Sequence, residues 1–462
     1  MPGAKIYIVN SLELIAAVQR HHKTLAFPPI EAKMGRRMNA WSDEADKVIM
    51  KNVNGEEGDW GMSMESYQAM RAALAPGVDL DAMNRIMVQN VAASLERLQP
   101  EKGRPSTNIN LMHWLRHELT MATTNAVYGP RNPYANRDVE NGFWDLVGGL
   151  TMMFVNFMPS MTAPKGYRGR ETVARAFVQY YNDKGHETGS AWAKNRYDVS
   201  IKHSISVEDT ARFECGGGIA ILVNTVPTVF WMLYHVYSNP LVLEQLRQEL
   251  STIILTSKTA DNVSICKIDI TQIKTRCPLL TSTFQEVLRC RAMGTSVRQV
   301  MEDTLLDGKY LLKKDGIIQM PSRVIHTDQE IWGHDIDSFN HKRFIKDFPD
   351  AAEKKNYGAK RPSPAAFRAF GGGHTLCPGR HFATTEIMAT AIMFILRYEV
   401  KPASGHWTPP TCANTNIAST IMEPDSDISV VVEPRAGFKD VSWGFGLADS
   451  EMVFAVAEED LK

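Results

Sequence analysis

The stretch Phe370-Gly371-Gly372-Gly373-His374-Thr375-Leu376-Cys377-Pro378-Gly379-Arg380 constrains this chain more than any other. Three glycines let the backbone turn sharply. A single cysteine follows, and from residue 381 to 398 a run of Ala, Ile, Met and Leu reads as a helix. Cys377 therefore stands on a glycine-rich loop at or just before a helix N-terminus. Free backbone N–H groups and the positive end of the helix dipole stabilise a thiolate there. Such a thiolate serves as a nucleophile, a redox sensor or a soft metal ligand.

The totals narrow the choice. The six cysteines (Cys215, Cys266, Cys277, Cys290, Cys377 and Cys412) form no C-x-x-C pair. Zinc-finger and disulfide-scaffold readings are therefore poor, and free thiols in a large chain point to the cytosol or a cytosol-facing surface. The 51 basic and 52 acidic residues give no global attraction for nucleic acid or anionic lipid. The 23 methionines fill a core flexibly or line an adaptable apolar pocket. No Pro/Ser-rich linker or charged run divides the chain, so residues 1–437 read as one unit, followed by an acidic tail at 438–462.

Hydrophobic periodicity gives many helices and a few short strands. Residues 5–9 alternate as a strand. A capping box of Asn10 and Glu13 opens a helix over 12–21. Residues 43–60 read as a polar loop. Helices are predicted over 63–74, 79–98 and 108–127. The apolar segment 143–158 reads as core or pocket wall, with a membrane-dipping segment as the second reading. Residues 168–195 read as a polar, mostly exposed helix. The longest helical pattern, 207–237, contains Asn224, Pro227 and His235 and lacks flanking membrane anchors, so it reads as a buried central helix. Helices over 240–252 and 279–291 follow, then short strands over 297–320. A Lys/Pro-rich meander at 345–366 precedes the cysteine loop, and 417–422 with 428–432 reads as a hairpin.

Three constellations carry chemistry. At the cysteine loop, a zinc site would need more ligands than the neighbouring His374 and His381 provide. A cysteine hydrolase needs a distant His and Asn or Asp, which the 13 histidines leave open. The shape F-x-x-G-x-x-x-C-x-G instead suits a flat cofactor held axially by sulfur, as in haem-thiolate ligation. Phe370 would pack by the sulfur, and N–H groups near Gly379 would hydrogen-bond it. Glu286 and Arg289 lie one turn apart on a helix face, an arrangement that alone is most often a surface ion pair. Asn224-Thr225-Val226-Pro227, then Phe230-Trp231, places a proline inside the long helix. It predicts a local kink and an unpaired carbonyl near residue 223.

Taken in order, these motifs resemble the cytochrome P-450 superfamily. Phe370, Gly373, Cys377, Gly379 and Ala383 stand at the spacing of its haem loop. Glu286 and Arg289 match its E-x-x-R pair, and Arg343, within Phe339-Asn340-His341-Lys342-Arg343-Phe344, matches the third member of a structural Glu-Arg-Arg cluster. The Asn-Thr-x-Pro-x-x-Phe-Trp string is similar to one branch, that of sterol 7α-hydroxylases, prostacyclin synthase and fungal relatives. Thr375, two before the cysteine, stands where most of the superfamily has Arg or His.

The resemblance implies a mainly α fold with small β-sheets. Haem b would lie between the Cys377 loop and the Asn224–Pro227 segment, with Cys377 as axial ligand of the iron. Asn224 and Thr225 would organise distal water, although Asn, unlike the usual acid, relays no net proton. Tyr67, Arg71, Arg298 and His374 would hold the propionates, and His326 and Trp332 would have a structural role. The implied reaction inserts one oxygen atom from dioxygen into a small apolar substrate: a sterol, terpenoid, polyketide or fatty-acid-like molecule of secondary metabolism. Candidate pocket residues are Trp60, Ile221, Met293–Ser296 and Asn416–Ala418. Electrons would come from NADPH through a separate cytochrome P-450 reductase, because no G-x-G-x-x-G stretch is present. Lys354, Lys355, Lys360, Arg361 and Arg368 form a candidate docking patch for it.

The resemblance places the protein at the cytosolic face of the endoplasmic reticulum, with contact to the membrane surface. Family members of this type begin with an anchor that this chain does not show, so the expectation is an N-terminally truncated chain or a cytoplasmic protein. Two other readings stand beside it. One is a haem-thiolate isomerase or dehydratase acting on a peroxide, which Asn224 permits and Thr225 argues against. The other is a non-catalytic remnant.

Overall fold

The computed structural model describes residues 5–446, apart from 56, 59, 102, 259–263, 346–362, 415, 417–418 and 439–440. Helices dominate, and polar caps set several of their ends. The first helix, Leu12–Arg20, is capped by Ser11, whose hydroxyl accepts from the Leu14 N–H. The predicted Asn10 cap is thus one residue early. Ser42 caps Asp43–Met50, and Asp43, Glu44 and Asp46 crowd its first turn. Those acids made the segment read as a polar loop; at a helix N-terminus they are favourable. The segment 168–195 is two helices, Pro164–Asn182 and Ala191–Lys202. The first buries Gly166, Gly169, Val173, Phe177 and Tyr180, so it is not the exposed helix its polar residues predict.

That buried face meets Arg137–Val155 along a seam of glycines. A Cβ on Gly149 would lie 3.1 Å from the Gly166 Cα, and one on Gly142 would lie 3.4 Å from the Gly169 Cα. Phe143, Leu146, Val147, Leu150 and Met153 are buried, as a core reading of 143–158 requires. The far end is different. Val155, Phe157, Met158 and Met161 are bare, Met161 by 69%.

The central helix runs as Val207–Leu222 and Thr225–Tyr237, broken at Val223 and Asn224. Pro227 therefore falls in the first turn of the second segment, where a backbone N–H has no intrahelical partner to lose. The pair is apolar enough to cross a membrane by length and composition. It packs inside the protein instead: Trp231 Nε1 donates to the Met422 carbonyl at 2.8 Å, and the Tyr237 hydroxyl donates to that of Phe394 at 2.8 Å.

The sheets are small. Ile6–Ile8 pairs in parallel with Ile317–Pro321, which pairs antiparallel with Thr295–Val300, and Leu25–Ala26 closes the order. Ser429–Pro434 lies between Tyr398–Pro402 and Thr107–Asn110. It does not form the predicted hairpin with 417–422, of which Ile421 only bridges Ala292 and residues 417–418 lie outside the described residues. Within the segment read as an acidic tail, Ser442–Gly446 forms a strand parallel to Ser264–Asp269; residues 447–462 lie outside the described residues.

Candidate active site

The cysteine loop is built by its glycines. Gly371 and Gly373 have φ of 81° and 60°, which L side chains rarely adopt. The turn returns the Cys377 N–H to the Phe370 carbonyl at 2.9 Å. Gly379 then starts the helix Arg380–Arg397. The Cys377 sulfur accepts from the backbone N–H groups of Gly379 and Arg380, which favour the thiolate, while burial pushes the thiol up. Yet the side chain is only partly covered by protein atoms. A group that is desolvated and also uncovered faces an internal chamber. Phe370 is half-buried and packs against the main core.

Cations surround this loop. Arg298 is 3% exposed, and its guanidinium donates to the Val297 carbonyl at 2.6 Å and to the Thr375 hydroxyl at 2.6 Å. Among the described residues no acid pairs with it. Burial, with repulsion from Arg368, lowers it to about 10. Arg368 is itself buried, not a surface docking residue. Arg71 donates to the His374 carbonyl and stacks 4.9 Å over the Tyr67 ring. The Tyr67 phenol is pushed up to about 12 by burial, Glu31 and Cys377. The His374 ring lies tilted against that of His22, centroids 3.9 Å apart, and His374 meets Arg71 through its backbone carbonyl. A buried arginine without an acid is costly. The donor set therefore fits a cofactor carrying anionic groups beside the cysteine, and the thiolate fits its metal.

The Glu-Arg-Arg residues meet. Arg289 donates to both Glu286 oxygens at 2.8 Å, and Arg343 Nε donates to the same carboxylate at 3.0 Å. Arg289 also reaches the carbonyls of His326 at 2.9 Å and Ile336 at 3.0 Å. His326 Nε2 accepts from the Arg368 N–H at 2.9 Å, which ties this cluster to the cysteine loop. Trp332 offers its carbonyl to Arg343 at 3.0 Å and its indole N–H to the Ile325 carbonyl at 2.9 Å.

On the central helix, Thr225 is 5% exposed, whereas Ala220, Ile221 and Asn224 keep uncovered surface at one-turn spacing. The Asn224 Oδ1 accepts from the Thr420 N–H at 3.0 Å, so its NH2 is the group left for other partners. The structure thus brings Asn224, rather than Thr225, to bare space. Asn416 Nδ2 donates to the Val147 carbonyl at 2.7 Å, and its Oδ1 accepts from Thr151 at 3.0 Å. Trp60 is 46% exposed. Ala418 and the docking residues Lys354, Lys355, Lys360 and Arg361 lie outside the described residues. Sequence reasoning missed Glu31 and Thr420. The signal for Glu31 was available: it is the one acid of Pro28–Asn39.

Comparison with known proteins agrees with this geometry. The family model for cytochrome P450 matches residues 219–428. The cytochrome P450 monooxygenase nodJ of Hypoxylon pulicicidum is 34% identical over 456 residues, spanning 98% of this chain and 86% of that protein. A cholesterol 7-alpha-monooxygenase of Cricetulus griseus is 27% identical over 210 residues, 44% of this chain and 41% of that protein. The solved structure of a retinoic acid bound cyanobacterial CYP120A1 superposes with a TM-score of 0.68 at 16% identity, covering 94% of this chain and 90% of that one. The chain belongs to the cytochrome P450 family. It is a haem-thiolate monooxygenase with the mainly α fold of that family, similar to its cholesterol 7-alpha-monooxygenase branch.

Proposed function

We propose that the chain inserts one oxygen atom from dioxygen into a small, mostly apolar substrate held between the Asn224 face and the Cys377 loop. The observation that carries this is a desolvated, partly bare sulfur held by two backbone N–H groups. The buried Arg298, which no acid among the described residues neutralises, supports it. Haem, when bound, supplies the redox centre at which dioxygen is reduced. Cys377 would hold its metal through the thiolate, and Arg298, Arg71 and Tyr67 would hold its anionic edge, with His374 contributing its carbonyl to Arg71. Phe370, Gly373 and Gly379 shape the loop, and Glu286, Arg289 and Arg343 brace it. The Asn224 NH2 orients distal water, with Thr225 packed behind it.

Electrons come from NADPH through a separate reductase at the cytosolic face of the endoplasmic reticulum. The bare Val155, Phe157, Met158 and Met161 support contact with a membrane surface. A sterol-like substrate is the class that the name of the cholesterol 7-alpha-monooxygenase relative supports, with a terpenoid, polyketide or fatty-acid-like molecule as the other candidates.

The test uses purified holoenzyme, NADPH and reductase, with product mass as readout. A product one oxygen atom heavier, formed only when both are present, is expected. Rearrangement of a hydroperoxide without either would make the protein an isomerase. A reduced carbon monoxide complex without the shifted Soret band of a thiolate ligand would make it a remnant.

A further inference from the structure

Glu31 has no role in the chemistry above, and its surroundings ask for one. Its side chain has a large uncovered surface. A carboxylate bare to bulk water titrates near its ordinary value, but burial pushes Glu31 up to about 7, against the pull of Arg196. Bare and desolvated together place it in an internal chamber, the reasoning applied above to Cys377. Two directions fix which chamber. Met38 lies two turns along the same face of Pro28–Asn39, and its Cε lies 2.9 Å from where a Cβ on Gly216 would sit, so this face looks onto the central helix. Met34, between them on that face, is 40% exposed. In the other direction Glu31 is close enough to Tyr67 to raise its phenol, and Tyr67 also feels Cys377.

Among the described residues no hydrogen bond or ion pair engages the oxygens of this carboxylate. Arg196 is committed to Glu214 at 2.9 Å and to the Phe213 carbonyl at 3.1 Å. A desolvated acceptor left unpaired is costly until a donor arrives. The cofactor's own carboxylates are no such donor, because like charges repel, and Arg298 and Arg71 are placed for them. The remaining visitor is the substrate.

We propose that Glu31 is the polar anchor of the substrate chamber, accepting the hydroxyl of an otherwise apolar, fused-ring alcohol whose hydrocarbon body packs on Met34 and Met38. The proposal rests on the monooxygenase reading of the chamber. It makes Glu31 a specificity-determining residue, set apart from the cofactor's own ligands.

The test is substrate-induced spin-shift titration of the holoenzyme with androstanol, its methyl ether and the parent hydrocarbon androstane. At about pH 8.5, above the value of about 7 to which burial pushes Glu31, the carboxylate is ionised and only accepts. Wild-type protein is expected to bind the alcohol there about tenfold more tightly than the other two, the discrimination of one hydrogen bond to a charged acceptor. In Glu31→Ala the alcohol falls to the affinity of the hydrocarbon, while haem content and the carbon monoxide band stay as in wild type. In Glu31→Gln, whose amide oxygen still accepts, part of the preference remains. An unchanged alcohol-to-hydrocarbon ratio in Glu31→Ala overturns the proposal. So does the lack of any shift with androstanol in wild-type holoenzyme that shows the thiolate band. Loss of haem from both variants would assign the carboxyl to the cofactor cradle and overturn it equally. If wild-type protein lacks the thiolate band, the monooxygenase reading itself fails and takes this proposal with it.

Discussion

Glu286 holds two arginines, and each is nearly or fully withdrawn from water. Replacing its charge by Glu286→Gln strands both, and removal of one partner from a buried ion cluster costs about 3–5 kcal/mol. We expect a large fall in the thermal midpoint and poor haem retention, read by calorimetry and by the haem absorbance of purified protein. Glu386 makes a different demand. It is fully buried, accepts from the Thr123 hydroxyl, and leaves Oε2 without a hydrogen-bond partner among the described residues. Burial raises its carboxyl from 4.5 to about 8. The folded protein therefore keeps a proton that the unfolded chain loses, and stability falls as pH rises through that window. Glu386→Gln should raise the thermal midpoint at pH 8 more than at pH 5; an equal change at both would reject the account. Residues of this kind were unevenly legible. Cys377, Glu286 and Arg289 could be found because fixed spacing links them to a motif. Arg368 could not, because a basic residue just after a Lys/Pro-rich meander has the composition of a surface patch and is buried only by contacts distant in sequence.

At the scale of elements, the glycine seam governs the pair Arg137–Val155 and Pro164–Asn182. A Cβ at Gly169 would run into the Gly142 carbonyl, backbone against backbone, whereas one at Gly148 meets nothing within 4 Å. Gly169→Ala should therefore lower stability by about 1–3 kcal/mol through overpacking. Gly148→Ala, in the opposite helix Arg137–Val155, should gain about 0.5–1 kcal/mol from helix propensity. Paired thermal melts decide it, and two changes of the same sign would refute the seam. Helix period made most of these elements visible, but the exposure of Pro164–Asn182 was misread. Its glycines count as neutral in a hydropathy pattern, yet they are what let the neighbouring backbone close over it. The break at Val223 was foreshadowed by Pro227, although the chain resolves the conflict by starting a new helix rather than leaving a kink inside one.

At the scale of the whole molecule, strands from remote parts of the chain close the fold. Ser442–Gly446 adds to the strand Ser264–Asp269, and Trp443 is buried where they meet the helix Val78–Arg97. Trp443→Ala should cost about 3–5 kcal/mol, the usual loss for a large aromatic truncated in a core, measured as a lowered thermal midpoint; an unchanged midpoint would make the strand an ornament of the surface. Neither this pairing nor that of Ser429–Pro434 was legible, because strand partners depend on which edges the helices leave free. The overall class was legible, since ordered motifs span the chain.

The glycine seam also limits how the chamber can open. Backbones in such close contact cannot slip along one another by a residue without driving a larger side chain, such as Leu146, into the main chain opposite. Shear between the two helices is therefore blocked. A motion that uncovers the chamber would have to carry the pair as one stiff plank. Lifting that plank away from Asn416 would break the bonds Asn416 makes to Val147 and Thr151.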